Sequence, residues 1–111
     1  MFDTANAEIS ATEVKRRLDQ GETLTILDVR EAQEVAICQL PNSLHIPIGQ
    51  LQQRLTELEP YKETTVIVYC HLGGRSIQCV RFMRQHGYNA LNLTGGTEAW
   101  SSEVDPTMAK Y

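Results

Sequence analysis

Aromatic residues are scarce in this chain: one tryptophan, four tyrosines and two phenylalanines among 111 residues. Its core must be mostly aliphatic, and a chain of this length can fill one such core without covalent staples. Cysteine is scarcer still. Three thiols, an odd number and widely spaced, argue against a disulfide framework and fit a reducing compartment, so a cytoplasmic location is expected. No Cys/His set has metal-ligand spacing, since Cys70 and His71 are adjacent, and no metal is expected. Basic charge is not in excess: ten Lys and Arg face fourteen Asp and Glu, a net −4. That argues against a general nucleic-acid-binding surface. No apolar run approaches about eighteen residues, so no membrane span is expected. Met1 to Glu8 lacks the basic-then-apolar pattern of a secretory leader. There is no internal repeat, linker or low-complexity segment.

What is present is an alternation of short β-branched runs and amphipathic stretches. Met1 to Ala7 reads as a flexible lead-in, residues 8–102 as the domain and residues 103–111 as a polar tail in which Pro106 breaks any helix. Ile9 suits a short edge strand or a hydrophobic staple. Ser10-Ala11-Thr12-Glu13 reads as a capping box opening a helix to about Gln20, with Gly21 as its stop and Val14 and Leu18 facing the core. Strands are expected over Leu24 to Val29, Ser43 to Ile46, Thr65 to Tyr69 and Ala90 to Leu93. A short helix is expected over Glu31 to Val35. A longer one is expected over Ile48 to Leu58, with Pro47 in its first turn and Ile48, Leu51, Leu55 and Leu58 on one face. Another should run from Ile77 to His86, ended by Gly87, with Cys79, Val80 and Met83 on the sheet-facing side. Gly95-Gly96 allow a sharp turn into a last helix that anchors Trp100. This order predicts an α/β fold of about five mostly parallel strands with helices on both faces.

The chemistry concentrates in Cys70-His71-Leu72-Gly73-Gly74-Arg75-Ser76. One cysteine stands at the end of a buried strand, and a tight loop carries the chain from it into a helix. In parallel α/β sheets ligands bind at that place. A loop with two glycines can turn successive N–H groups inward, and the first turn of the helix continues the nest. A thiolate held there is stabilised. A free thiol near 8.5 is about 3% ionised at pH 7, whereas one lowered to roughly 6.5 is mostly thiolate. Arg75 adds a fixed positive charge with a forked donor set suited to an oxyanion.

The loop resembles the active-site loop of rhodanese-type sulfurtransferases, in which a cysteine opens a six-residue loop and carries a persulfide. Three further landmarks carry the same likeness: Leu27-Asp28-Val29-Arg30-Glu31, His45-Ile46-Pro47, and Leu93-Thr94-Gly95-Gly96-Thr97-Glu98-Ala99-Trp100. Together they span about residues 8 to 101. The chain departs from the family where Cys38-Gln39-Leu40-Pro41-Asn42-Ser43 replaces a Gly-His-Ile-Pro-Gly-Ala run, so no function passes to Cys38 or Gln39.

The resemblance implies a rhodanese-like fold and a thiosulfate sulfurtransferase with a Cys70 persulfide and no other cofactor. Its donor would be small and anionic, such as thiosulfate, or a protein persulfide. Its acceptor would be a thiol or a protein. Arg75 is expected to orient the donor, Gly73 and Gly74 to let the backbone approach the sulfur, and Ser76 to cap the helix and donate to the persulfide. Leu72 is expected to form an apolar wall. His71 either acts on the acceptor or faces solvent, the second being favoured. Asp28 and Arg30 either shape the pocket or form a structural ion pair at a strand end, again with the second favoured. Cys79 reads as inert packing and Cys38 as incidental. Two other classes compete. A phosphatase or arsenate reductase of related fold would place five residues between cysteine and arginine, where this chain has His71 to Gly74. A non-catalytic sulfur- or partner-binding module is the other.

Overall fold

The computed structural model describes residues 6–111. Five parallel strands form one sheet in the order β1-β5-β4-β2-β3. They are β1 (Glu8–Ile9), β2 (Leu24–Asp28), β3 (Leu44–His45), β4 (Thr65–Tyr69) and β5 (Asn89–Leu93). The helices are α1 (Ala11–Asp19), α2 (Ala32–Ile37), α3 (Leu51–Arg54), α4 (Gly74–Gln85) and α5 (Gly96–Glu103). Of the expected lead-in, residues 1–5 lie outside the described residues. Ala7 is buried, and its carbonyl accepts from the Asn92 amide at 2.6 Å.

β4 is the central strand, flanked by β2 and β5, so both its faces are covered. Its period-two alternation explains where the chemistry points. Val66, Val68 and Cys70 face a cluster with Leu51 and Leu58 and with Cys79, Val80 and Met83 of α4. Ile67 and Tyr69 face the opposite cluster, with Ala11 and Val14 of α1 and with Trp100 of α5. The Tyr69 hydroxyl, beneath that second layer, meets Ser43 Oγ at 2.8 Å and accepts from the Leu40 amide at 3.1 Å. It thereby ties β4 to the loop before β3, where Asn42 turns the chain with φ 57°.

Several local expectations change. Ser10 caps α1 by accepting from the Glu13 amide at 3.1 Å, but Glu13 does not reach back. Its carboxylate pairs with Arg16 and Arg17 instead. The reciprocal capping box is at α2, between Glu31 and Glu34. The helix expected over Ile48 to Leu58 is broken into a 3₁₀ turn (Ile48–Gln50), the single turn α3, and a 3₁₀ stretch (Leu55–Tyr61), with Pro47 just before the first. Pro60, which has no N–H to offer an α-pattern carbonyl, lies inside the last piece. Leu51 and Leu58 are still buried, so the apolar face survives the change of pitch. Among the described residues no helix is long and apolar enough to cross a membrane.

Candidate active site

Cys70 follows β4 directly, at the carboxyl edge of the sheet. The next three residues turn sharply, and Gly73, at φ 108°, is the N-cap of α4. That backbone region excludes most side chains. The helix therefore starts three residues earlier than the sequence suggests. Ser76 does not cap it; it sits inside the first turn, fully buried. The Gly73 amide donates to Cys70 Sγ at 3.1 Å. The amides of Arg75 and Ser76 also converge on this sulfur, and Ser76 Oγ lies 3.3 Å from it.

The carbonyls of the same turn face the other way. Cys70 O accepts from the Thr97 amide at 3.0 Å and His71 O from the Glu98 amide at 3.2 Å. Both donors belong to the otherwise unpaired first turn of α5. The fit requires Gly96, where a Cβ would lie 2.3 Å from Cys70 O and 2.4 Å from His71 O. The Gly-Gly pair thus braces the loop from behind, so amides point in and carbonyls out.

The electrostatics follow from this geometry. Burial pushes the Cys70 thiol up. The amides of Ser76, Gly73 and Arg75 aimed at its sulfur act against burial, and the net shift is downward. Arg75 is held by Glu34 of α2 through two parallel bonds of 2.7 and 2.9 Å. That pairing, aided by the Glu31 amide and the Tyr111 hydroxyl against partial burial, lowers the Glu34 carboxyl to about 2. The segment expected as a tail returns to this spot. Met108 packs on the second core cluster. The Tyr111 hydroxyl donates to Glu34 at 2.8 Å and accepts from Arg30 at 3.0 Å. The Tyr111 ring lies flat on His71, with centroids 3.9 Å apart.

Cys70, His71, Leu72, Gly74 and Arg75 line one cleft of about 390 Å³, together with Gln78. Cys70 is at its floor, 1% exposed, and Leu72 is at its rim, 64% exposed. Gly73 and Ser76 are not among its lining residues and support the sulfur from behind. His71 is held between Tyr111 and Glu98, whose carboxylate is 3.9 Å away. Asp28 and Arg30 do not line the cleft. They form a wholly buried ion pair at 2.7 Å, and Arg30 also donates to the Cys38 carbonyl at 2.6 Å. Cys38 is the C-cap of α2 and lies outside the cleft. Sequence reasoning missed Glu34, Gln78, Asn92 and Tyr111. Only Glu34 left a trace, as the last residue of an acidic pair at the α2 start.

Cys70 thus stands at the carboxyl edge of a parallel sheet, with three amides facing its sulfur, and borders a small cleft. The chain belongs to the rhodanese-like domain family, whose model matches residues 10–103. A sulfurtransferase of Allochromatium vinosum is 33% identical over 103 residues, covering 92% of this chain and 94% of that protein. The adenylyltransferase and sulfurtransferase MOCS3 of Arabidopsis thaliana is 34% identical over 122 residues; the match takes in 96% of this chain but only 26% of MOCS3. The crystal structure of a thiosulfate sulfurtransferase from Pseudomonas aeruginosa superposes with a TM-score of 0.78 at 30% identity, over 89% of this chain and 20% of that one.

Proposed function

We propose that Cys70 is the nucleophile and that it carries the transferred sulfur as a persulfide. The observation that carries this reading is the convergence of the Gly73, Arg75 and Ser76 amides on Cys70 Sγ at the floor of an open cleft. In the first step the Cys70 thiolate attacks the outer sulfur of an anionic donor. For thiosulfate a new S–S bond forms at Sγ, the donor's S–S bond breaks, and sulfite leaves with the electron pair. In the second step a thiolate acceptor, free or on a protein, attacks the terminal sulfur of Cys70–S–S⁻ and releases the Cys70 thiolate. A protein persulfide can replace thiosulfate in the first step with the same balance. One transfer is thus split into two displacements with ping-pong kinetics. Gly74 leaves space at the cleft wall, and Leu72 gives it an apolar rim. Arg75, set by Glu34, turns its remaining N–H groups to the donor's oxyanion, and His71 forms the wall beside it. No cofactor beyond the persulfide is required.

Brief exposure to thiosulfate should add the mass of one sulfur to the protein, and cyanide should remove it. Cys70→Ser should abolish both events, while Cys38→Ser and Cys79→Ser retain them. Sulfur loading that survives in Cys70→Ser would overturn the assignment, as would turnover of an aryl phosphate without sulfur transfer.

A further inference from the structure

Behind the sulfur runs a chain of side chains that the two displacements do not use: Cys70, Ser76, Asn92 and Glu8. Asn92 is on β5 and 3% exposed; Glu8 is on β1 and exposed. Asn92 Nδ2 has three acceptors around it: the two Glu8 carboxylate oxygens at 3.0 and 3.1 Å and the Gly73 carbonyl at 3.3 Å. The Thr94 hydroxyl holds Glu8 in place at 2.7 Å. Only the NH₂ end of the amide can face three acceptors. The carbonyl end is thereby committed to Ser76, with Oδ1 2.5 Å from Ser76 Oγ. Oδ1 carries no hydrogen, so Ser76 must donate to it.

A serine hydroxyl has one hydrogen. With that hydrogen on Asn92, Ser76 offers Cys70 only a lone pair across 3.3 Å. It can accept from the neutral thiol but gives the thiolate nothing. If the hydrogen swings to the sulfur, Asn92 Oδ1 is left buried without a donor, which costs about 1–3 kcal/mol. We propose that Glu8 and Asn92 are positioning residues that hold the Ser76 hydroxyl hydrogen away from Cys70. The Glu8 carboxylate polarises the amide and makes Oδ1 the stronger acceptor. The consequence is a bias between the two forms of the enzyme. A thiolate denied one donor is more basic, and thiolate nucleophilicity rises with basicity. In the persulfide the charge sits one atom further out, beyond Ser76, so the restraint falls on the unloaded form alone and favours loading. This rests on Cys70 being the sulfur-bearing nucleophile.

The test reads the thiol itself, so it is decided whether or not a persulfide ever forms. The rate of iodoacetamide alkylation at Cys70 is followed against pH by mass spectrometry in wild type, Asn92→Ala, Ser76→Ala and the double variant. The other titratable groups nearby are His71 on the loop, Arg75 and Cys79 on α4, Glu34 on α2 and Glu98 on α5. All are common to the four proteins. Asn92→Ala should lower the apparent pKa of Cys70 by roughly one unit, the worth of one hydrogen bond to a charged group. In the Ser76→Ala background the same substitution should change nothing. An unchanged or raised pKa in Asn92→Ala overturns the proposal, as does an equal shift with Ser76 absent. If Asn92→Ala does not fold, Glu8→Ala at the exposed end carries the same cycle. It should give a smaller downward shift that depends on Ser76; a shift of equal size without Ser76 is a plain charge effect and overturns the relay.

Discussion

Cys70 and Cys79 share one strand–loop–helix unit and are almost equally buried, at 1% and 2% exposed. Their thiols are nonetheless driven in opposite directions. Cys79, on the sheet-facing side of α4 among Leu51, Val80 and Met83, is pushed up to about 12 by burial, with the Cys70 charge adding to it. Cys70 feels burial too, yet ends below its ordinary value because three amides face its sulfur. Depth alone therefore does not separate the two thiols. What separates them is whether backbone donors are aimed at the sulfur, and that depends on the Gly73 turn and on α5 standing behind it.

The most severe way to break the contrast is Gly96→Ala. A methyl group within 2.3–2.6 Å of the Cys70 and His71 backbone must displace the loop or the start of α5. Stability should fall by about 2–4 kcal/mol, read as a lowered denaturation midpoint. In the folded fraction Cys70 alkylation at neutral pH should slow toward that of Cys79. A smaller effect is expected from the other side. Cys79→Ala removes one buried sulfur, costs about 1–2 kcal/mol through the space it leaves, and should leave sulfur transfer intact. Loss of transfer in that variant would mean that Cys79 does more than pack.

Glu34→Gln should have the least effect on stability. The Glu34–Arg75 pair is worth about 1 kcal/mol, since Arg75 is a third exposed and solvent screens it. The pH dependence is specific. Glu34 titrates near 2 in the folded protein, below its ordinary 4.5, so its contribution is complete above about 4.5 and is lost as pH falls toward 2. The stability gap between wild type and Glu34→Gln should close across that window. Releasing Arg75 should also sharpen the cysteine contrast, moving Cys70 further down by a few tenths of a unit. A gap that persists at pH 2 would contradict the pairing.

The strand–loop–helix around Cys70 was legible because its signals are local: a β-branched run, two glycines, an arginine and an apolar helix face follow one another. The same holds for Trp100 and for the Gly-Gly turn, although the reason for Gly96 is a carbonyl contact across the fold. Ser76 was misplaced by three residues because a glycine with positive φ can cap a helix as well as a hydroxyl can. The helix expected over Ile48 to Leu58 kept its apolar face and lost its pitch, since a leucine spacing alone does not distinguish α from 3₁₀. Glu34, Asn92 and Tyr111 left little or nothing to read. Each meets the site through side-chain contacts made by a distant element, and such contacts carry no periodicity.

The most direct test of aimed donors against mere burial is the pH dependence of Cys70 alkylation in the Cys38→Ser/Cys79→Ser protein, where only one thiol remains to react. A midpoint below the roughly 8.5 of a free cysteine is the predicted result. A midpoint at or above that value would contradict the account.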